Sequence, residues 1–223
     1  MDLNIVIENE SQRDSKEVIF NKIKTALKLG YKTIALNVKI NENQIVNPPK
    51  APVVELKDSS HFKILTRVTV VLEDPAKVHK LTKSQILKEY DLLAIEPVND
   101  KIMNLICGGN LECDIVSFSL QTKMAFNIKK LNFTVPLNKG TCFEVNYRQL
   151  LMDSTSRQNV IAASQTLVSR LKGKNVLLSS GAQTAMELRG PYDVTNLALL
   201  LDIPEHKAKH AVYNNGSKAI RLS

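Results

Sequence analysis

The chain has 223 residues, of which 43% are hydrophobic and 23% charged, a composition that argues against intrinsic disorder and suits one large or two small globular domains. Aromatic residues contribute only 5% and tryptophan is absent, which disfavours a base-stacking platform for single-stranded RNA. The formal net charge of +8 lies entirely in the second part of the chain, because residues 1–120 carry 16 basic and 16 acidic side chains whereas residues 121–223 carry 14 and 6. This asymmetry favours a polyanionic partner, although a basic surface that merely keeps the protein soluble would look the same.

The cysteines and the amino terminus bear on the cellular compartment. Cys107, Cys113 and Cys142 are odd in number and have no C-x-x-C spacing, so they fit neither a disulfide framework nor a zinc cage. We expect reduced thiols in a cytosolic or nuclear protein. The start, MDLNIVIENE, is too acidic and polar for a secretory signal, and no run reaches the roughly 18 apolar residues of a membrane span, so no membrane partner is expected.

Short apolar runs alternate with segments in which apolar residues recur at helical spacing. In chain order, the patterns predict strand 3–7, helix 15–30, strand 33–40, strand 64–73, helix 78–90, strand 91–98, helix 99–109, strand 113–120, strand 142–147, helix 156–173, strand 175–181, and helices 193–202 and 204–213. The loop NQIVNPPKAP contains three prolines and is excluded from regular structure. Segment 128–140 stays ambiguous, because Pro136 argues against a regular helix there.

Seven strongly apolar strands that alternate with helices predict an α/β fold whose parallel sheet is buried on both faces. So many units in a chain of this length favour a barrel over an open doubly wound sheet, and residues 1–223 are interpreted as a single barrel domain. The pattern does not decide whether the barrel closes. Two interpretations stay open for the apolar tail segments LALLLDI and AVYNNGSKAI: a surface offered to a partner protein, or helices that plug or flank the barrel.

Several segments in a fixed order carry a resemblance to a known family. They are DLNI at residues 2–5, then DLLAIEP, CDIVSF, FEVNYRQLL, LLSSGA and ELRGPYDVTNLALLLDI. In this order and at these spacings they resemble the TIM-barrel-like protein subunit of archaeal and eukaryotic ribonuclease P, which in eukaryotes also serves ribonuclease MRP. The resemblance implies a distorted TIM-like barrel related to the polymerase-and-histidinol-phosphatase metal phosphoesterases.

The resemblance also implies a function. The chain would be a subunit with no catalytic residues of its own, in a ribonucleoprotein whose RNA performs the 5′ maturation of precursor tRNA. Implied partners are the ribonuclease P RNA, precursor tRNA, a small ferredoxin-like protein subunit, other ribonuclease P or MRP proteins, and a second copy of the chain. Mg²⁺ would serve the RNA, and this chain would bind no cofactor. The implied compartment is the nucleus and nucleolus, or the cytoplasm if the source is archaeal.

The histidines do not match the metal sites of the related phosphoesterases. Those enzymes carry H-x-H on the first strand, where this chain has Asp2-Leu3-Asn4. None of the four histidines falls at the carboxyl end of a predicted strand, where barrel active sites are built: His61, His79, His206 and His210. The last two lie four residues apart, but a zincin would need a glutamate where this chain has Lys207. We therefore expect no metal site.

Basic residues that follow the later strands are the candidate RNA contacts. Arg148 and Lys123 come directly after predicted strands, and Arg157 opens the next helix near the same barrel mouth. Arg189 has the fork geometry for a bidentate phosphate contact. Each could instead form an ion pair within the protein. Arg148 and Arg157 could pair with Glu144 or Asp153, and Arg189 could pair with Glu187 or Asp193.

Two serines complete the candidate set. Ser179 and Ser180 precede Gly181 where a strand meets a turn, an arrangement in which backbone N–H groups and hydroxyls can cradle a phosphate. A plain strand-to-helix turn is the equal alternative at this stage. The resemblance favours a structural or RNA-contact role for them.

Charged residues within or at the ends of strands allow an enzymatic or a structural interpretation. Glu73, Glu96 and Glu144 would be candidate acids or bases in an enzyme, but we interpret them as partners of nearby cations. Arg67 lies inside a strand and, if it points into the barrel, needs a carboxylate such as Glu96. Two other functions stay as alternatives: a metal-dependent phosphoesterase of the same barrel class, and an unrelated scaffold that binds an acidic protein.

Overall fold

Residues 1–7, 16–54, 62–120 and 126–220 are described in the computed structural model of the chain. Seven strands are present: β1 (Asp2–Ile7), β2 (Thr33–Asn41), β3 (Lys63–Leu72), β4 (Leu92–Pro97), β5 (Ile115–Ser117), β6 (Cys142–Asn146) and β7 (Val176–Ser179). The α-helices of the described residues are α1 (Lys16–Lys28), α2 (Val78–Lys83), α3 (Asp100–Cys107), α4 (Thr134–Asn138), α5 (Ser154–Leu171), α6 (Pro191–Leu200), α7 (Glu205–Lys209) and α8 (Asn215–Ile220).

The strands form one parallel sheet in the order β1 to β7, so each strand pairs with its neighbour in sequence. The predicted α/β barrel of about seven strands alternating with helices is therefore confirmed. The ambiguous segment 128–140 is a 3₁₀ turn followed by the short helix α4, in which Pro136 falls within the first turn and needs no N–H partner. Helix α6 begins two residues earlier than predicted, because Pro191 suits its first position.

The barrel nearly closes between β1 and β7. Ile5 forms a parallel bridge with Ala182, and the Val6 amide donates to the Ala182 carbonyl at 2.9 Å. The Ser180 backbone N–H donates to Asp2 Oδ1 at 3.1 Å, so a side chain replaces part of the missing ladder. Burial raises the pKa of the Asp2 carboxyl, which lies wholly inside the protein.

Apolar residues pack on both sides of the barrel wall. The larger cluster lies between the strands and the surrounding helices, as expected when both faces of a parallel sheet are covered. A smaller cluster fills the barrel interior at the amino ends of the strands: Leu3, Ala35, Leu65, Leu92, Ala94, Ile115, Cys142, Leu177 and Ala219. We call this end the closed end, and the opposite end, at the carboxyl ends of the strands, the mouth.

Helix α8 plugs the closed end, as one of the two interpretations of the tail has it. Ala219 belongs to the interior cluster, and Asn215 Nδ2 donates to the Val176 carbonyl at 2.7 Å. Leu201, Ile203 and Val212 are buried as well. Most apolar residues of the tail are therefore used within the fold, whereas Leu199 and Leu200 remain exposed. None of the helices in the described ranges is long and apolar enough to cross a membrane.

Gly216 sets how closely α8 approaches the barrel. A Cβ atom built there would lie 2.9 Å from Leu3 Cδ1 and would also overlap the Met1 side chain. We expect Gly216→Val to lower the free energy of unfolding by about 1–3 kcal/mol, because the added methyl groups overpack a filled site. Urea unfolding followed by circular dichroism measures the change.

Ser217→Ala provides the control for Gly216→Val, since it alters the same helix without adding volume, and we expect a change below about 0.5 kcal/mol. Equal stability of Gly216→Val and the wild-type protein would show that α8 does not pack as a plug.

Candidate functional site

In β3 and β6, alternate residues face the barrel interior, and their character changes from apolar to polar toward the mouth. In β3 the inward series runs Leu65, Arg67, Thr69, and in β6 it runs Cys142, Glu144, Asn146. The closed end is therefore sealed by hydrocarbon, while polar groups occupy the half of the barrel that leads to the mouth. In related barrels, active sites are built at the carboxyl ends of the strands, which makes this half the candidate site.

A buried ion pair lies at the centre of the interior. Arg67 Nη1 and Nη2 donate to Glu144 Oε1 and Oε2 at 2.5 and 2.8 Å, and both side chains are 0% exposed. Arg67 Nη1 also donates to the Leu3 carbonyl at 2.8 Å. The Ser117 and Ser179 hydroxyls donate to the two oxygens of the same carboxylate at 2.7 and 2.6 Å. Five strand-borne groups on β1, β3, β5, β6 and β7 thus meet at one point.

The ion pair fixes the ionisation of Glu144. Burial by itself raises the pKa of this carboxyl, but the Arg67 charge and the hydrogen bonds from Arg67, Ser179 and Ser117 outweigh it and hold the pKa below its ordinary value. An ionised carboxylate with both oxygens engaged is a structural acceptor. It has no free lone pair directed at the mouth with which to act as a base.

An amide network lies between the ion pair and the mouth. Asn4 Nδ2 donates to Glu144 Oε2 at 3.1 Å and to Asn146 Oδ1 at 3.0 Å, and Asn37 Nδ2 donates to Asn4 Oδ1 at 2.6 Å. The Thr69 hydroxyl donates to Asn37 Oδ1 at 2.8 Å. These contacts orient each amide, and they connect β1, β2, β3 and β6 by side chains.

The mouth holds a cavity of about 230 Å³ with a polar lining. Its rim carries two ion pairs, Lys39 with Glu96 at 2.7 Å and Arg148 with Glu187 at 2.8 Å, although Glu187 itself lies outside the lining. Gln149 lines the cavity and is 8% exposed, and its Oε1 atom has no hydrogen-bond partner. Because the rim charges are paired and most other lining groups are neutral amides and hydroxyls, the mouth is polar without strong net charge.

The donors at the mouth do not fit a divalent metal. Zinc and similar ions need several imidazole, thiolate or free carboxylate ligands on one centre. Within the described ranges, no cluster of three or more histidine, cysteine, aspartate or glutamate residues has the spacing to hold an ion. The guanidinium of Arg67 occupies the barrel axis, and a second cation beside it would be repelled. His79, His206 and His210 are exposed on helices or at a helix end, and His61 lies outside the described residues.

The structure brings three of the predicted arginines to the mouth side of β6 and β7. Arg148 pairs with Glu187, not with Glu144 or Asp153 as the alternatives had it. Glu144 is committed to Arg67, while Asp153 accepts from two backbone amides as the N-cap of α5.

The other two arginines bind backbone carbonyls. Arg157 Nε donates to the Leu150 carbonyl at 2.9 Å, and its side chain is exposed. Arg189 Nη1 donates to the carbonyls of Met186 and Leu188 at 2.8 and 2.9 Å, so neither Glu187 nor Asp193 is its ion-pair partner. Within the described part of the chain neither guanidinium group forms an ion pair, and each retains N–H donors that a phosphate could accept. Lys123 lies outside the described residues.

The two serines face inward. Ser179 is 1% exposed and binds Glu144 and Asn146, and Ser180 is 0% exposed with its hydroxyl donating to the Asn4 carbonyl at 3.0 Å. Their hydroxyls are therefore used to join β7 to β1 and β6. The geometry corresponds to the structural alternative for this turn and offers no hydroxyl from either residue to an external phosphate.

One predicted ion pair is wrong in its partner. Arg67 points into the barrel, as its strand position allowed, but it binds Glu144 whereas Glu96 binds Lys39. Arg67 pairs in register with Leu92, so Glu96 lies four residues, about 13 Å, closer to the mouth. The sheet curves until β6 faces β3 across the interior, and this curvature is invisible in the sequence.

Sequence reasoning missed the amide network and Gln149. A usable signal was present, since polar residues at every second position interrupt otherwise apolar strands, as in Asn37 and Lys39 of β2 or Glu144 and Asn146 of β6. In a parallel strand covered on both faces, such residues must point into a polar interior. Applied to all seven strands, this rule would have outlined the network.

Comparisons with known proteins agree on one family. The model of the RNase P subunit p30 family matches residues 1–223. The chain is similar to ribonuclease P protein subunit p30 of Mus musculus, with 35% identity over 86% of this chain and 76% of the mouse protein. It is also similar to probable ribonuclease P protein subunit 3 of Schizosaccharomyces pombe, with 31% identity over 95% of this chain and 88% of that protein. The ribonuclease P/MRP subunit RPP1 of Saccharomyces cerevisiae is 26% identical over 95% of this chain and 76% of its own length.

Solved structures support the fold. A chain from an archaeal ribonuclease P with mature tRNA superposes with a TM-score of 0.63 at 17% identity, covering 98% of this chain and 90% of that one. Histidinol phosphate phosphatase of Lactococcus lactis, solved with zinc, L-histidinol and phosphate, superposes with a TM-score of 0.52 at 14% identity, covering 96% and 94%. The barrel is thus shared between a ribonucleoprotein subunit and a metal phosphatase.

The buried ion pair generates a double-mutant prediction. We expect Arg67→Met and Glu144→Gln each to lower the free energy of unfolding by about 3–5 kcal/mol, because each leaves a buried group without its partner. The loss of unfolding free energy in the double variant should be smaller than the sum of the two single losses, and the difference should exceed about 1 kcal/mol. Urea unfolding at neutral pH supplies all four free energies.

The Lys39–Glu96 ion pair at the mouth provides a control for this cycle. Lys39→Met and Glu96→Gln alter an ion pair whose side chains are 47% and 13% exposed, so their coupling should stay below about 1 kcal/mol. If the Arg67–Glu144 coupling were no larger than this, the central pair would not hold the barrel together.

Proposed function

The chain belongs to the RNase P subunit p30 family, and we propose that it supports the 5′ maturation of precursor tRNA by ribonuclease P without cleaving RNA itself. In this role the protein neutralises phosphates, fixes RNA geometry and holds other subunits. The RNA of the particle performs the chemistry and uses the Mg²⁺. The observation that carries the proposal is family membership together with a barrel interior built from structural, not reactive, groups.

The interior supports a non-catalytic role. The carboxylate best placed by its strand, Glu144, is held ionised by Arg67 and has both oxygens engaged. Glu96 is paired with Lys39. The phosphatase that shares the fold was solved with zinc, whereas the donors here are amides, hydroxyls and a guanidinium. The alternative of a metal-dependent phosphoesterase therefore lacks the ligands that it needs.

The mouth supports a contact with RNA backbone on the side of β6 and β7. Arg157 and Arg189 present charged guanidinium groups that, among the described residues, donate to backbone carbonyls. Arg148 is tied to Glu187, whose pKa is held low, against the effect of burial, by Arg148 and by two backbone amides. Lys123 completes the proposed set by its place in the sequence.

Partners and location follow from the particle. The archaeal ribonuclease P that shares this fold was solved with mature tRNA. We propose the ribonuclease P RNA, precursor tRNA and other subunits of ribonuclease P or MRP as partners, among them a small ferredoxin-like protein, together with a second copy of this chain. The eukaryotic relatives favour the nucleus and nucleolus as the compartment.

The absence of catalysis by the isolated chain is directly testable. Purified full-length protein, supplied in turn with Mg²⁺, Mn²⁺ and Zn²⁺, should leave a precursor tRNA and a phosphomonoester intact, because the described residues of the mouth form no cluster of metal ligands and the Glu96 and Glu144 carboxylates are paired with cations. Gel analysis and phosphate release provide the readouts. The ribonucleoprotein reconstituted with its RNA serves as the positive control.

Hydrolysis by the pure protein would contradict the proposal under two conditions. The activity must disappear on chelation, and it must be absent from Glu96→Gln, whose carboxylate lies at the mouth. Activity that survives in this variant would instead indicate a contaminating nuclease.

The proposed mouth contacts predict a change in salt dependence. Replacing Lys123, Arg148, Arg157 and Arg189 together by glutamine should reduce the slope of log K against log salt by about one unit for each phosphate that the variant no longer neutralises. Binding of the full chain to ribonuclease P RNA across a KCl series measures the slope, and circular dichroism checks the fold. An unchanged slope in a folded variant would assign these residues to structure alone.

A further inference from the structure

Part of the positive charge of the second half of the chain lies away from the mouth. Helix α5 spans 18 residues, or about 27 Å, and carries the chain from the mouth to the closed end. Five cations lie at the end of α5, in the turn after it and in α7. We name them the closed-end cluster: Arg170, Lys172, Lys174, Lys207 and Lys209. All but Lys207 are exposed, and Lys207 is half-buried.

Direct contacts hold the two segments of the cluster together. Lys207 Nζ donates to the Lys172 carbonyl at 2.5 Å. Gly173, with φ of +65°, passes so close to α7 that a Cβ atom there would lie 2.9 Å from Lys207 Cδ. Lys172 itself adopts a left-handed conformation with φ of +52° as the C-cap of α5. The turn between α5 and β7 is therefore pressed against α7 in a defined geometry.

No member of the cluster forms an ion pair with another described residue. The ion pairs among the described residues are Lys39–Glu96, Arg67–Glu144, Lys139–Glu112 and Arg148–Glu187, and none includes a member of the cluster. The neighbouring acids Asp202 and Glu205 are exposed and form no ion pair with it. Five cations against two acids leave a net charge of +3 on this surface.

Helix capping explains only part of this charge. Cations in the last turn of a helix interact favourably with its dipole, which accounts for Arg170 at the end of α5. Arg170 is also anchored, since its Nη2 donates to the Leu131 carbonyl at 3.0 Å. Lys174 lies beyond the end of α5 and Lys209 lies in the last turn of α7, and neither forms an ion pair among the described residues. The Lys207 ammonium contacts the turn that carries Lys172, and like charges brought together repel one another, so an external anion would relieve the repulsion.

We infer that the closed-end cluster binds the phosphate backbone of RNA, as a contact surface separate from the mouth. The inference rests on the proposed function, which supplies RNA as the polyanion. Flexible lysines on a turn and a short helix suit a backbone with regularly repeated charges, since each phosphate contact releases counterions without demanding a fixed geometry. The separation from Arg157 exceeds the Debye length of about 8 Å, so the mouth and the closed end should contribute independently.

The test compares two triple variants of the full chain with equal change of charge. Lys172→Gln, Lys174→Gln and Lys209→Gln remove three cations of the cluster and retain Lys207, whose ammonium holds the turn. The control replaces Lys80, Lys83 and Lys88 by glutamine, which are exposed lysines of the electrically neutral first half. The probe is ribonuclease P RNA transcribed from the same genome, bound across a KCl series.

We expect the cluster variant to lose about 2–3 units of salt slope and the control to keep the wild-type slope within about half a unit. An equal loss in both variants would mean that only net charge matters and would overturn the inference, as would an unchanged slope in the cluster variant. If RNA binding persists but co-purification of other protein subunits is lost, the cluster is a protein-binding surface and the inference is wrong.

Two further measurements separate a loss of phosphate contacts from unfolding, and a failure of this inference from a failure of the proposed function. Should the triple variant unfold in urea earlier than the wild type, Lys174→Gln with Lys209→Gln avoids the left-handed position and should lose about two units of slope. Failure of the wild-type chain to bind the RNA or to enter the particle would count against the proposed function, whereas normal binding with an unaltered slope in the variant counts against the closed-end cluster alone.

Discussion

A guanidinium and a carboxylate that meet inside the barrel, Arg67 on β3 and Glu144 on β6, constrain much of what surrounds them. Neither charge could remain buried alone, so the strands that carry them must face each other across the interior. The remaining lone pairs of Glu144 then require the hydroxyls of Ser117 and Ser179, and the amide of Asn4. Satisfying this one pair thereby links five strands and engages both oxygens of the Glu144 carboxylate.

The two ends of the barrel differ because its interior is divided into an apolar and a polar half. At the closed end, hydrocarbon side chains need a cover, and α8 supplies it with Ala219 while Gly216 permits close approach. At the mouth, polar groups tolerate water, so no plug is required and a cavity remains. The connection that leads to α8 passes along the closed end and brings α7 against the turn after α5. Lys172, Lys174 and Lys207 are brought together there as a result.

The candidate site was only partly predictable from the sequence. Arg148, Arg157 and Arg189 reached the mouth side of the barrel because residues that follow parallel strands share one end of the sheet. The ion pairs considered as alternatives for these arginines are not formed, since ion pairing depends on distances across loops. Ser179 and Ser180 had the composition of a phosphate-binding turn, yet strand position turned their hydroxyls inward. The closed-end cluster could not be predicted from the sequence, because Lys172 and Lys207 are 35 residues apart and meet only in the folded chain.

By itself, the sequence determined the α/β class, the seven strands, their alternation with helices and the lack of strand-end histidines. These features depend on local periodicity and residue type, which a linear chain displays directly. The order of its segments also identified the family. Only the tertiary structure decided that the barrel nearly closes, that α8 plugs one end, and that Arg67 binds Glu144 instead of Glu96. Those outcomes depend on sheet curvature and strand stagger, which arise from contacts between residues far apart in the chain and so leave no local signature.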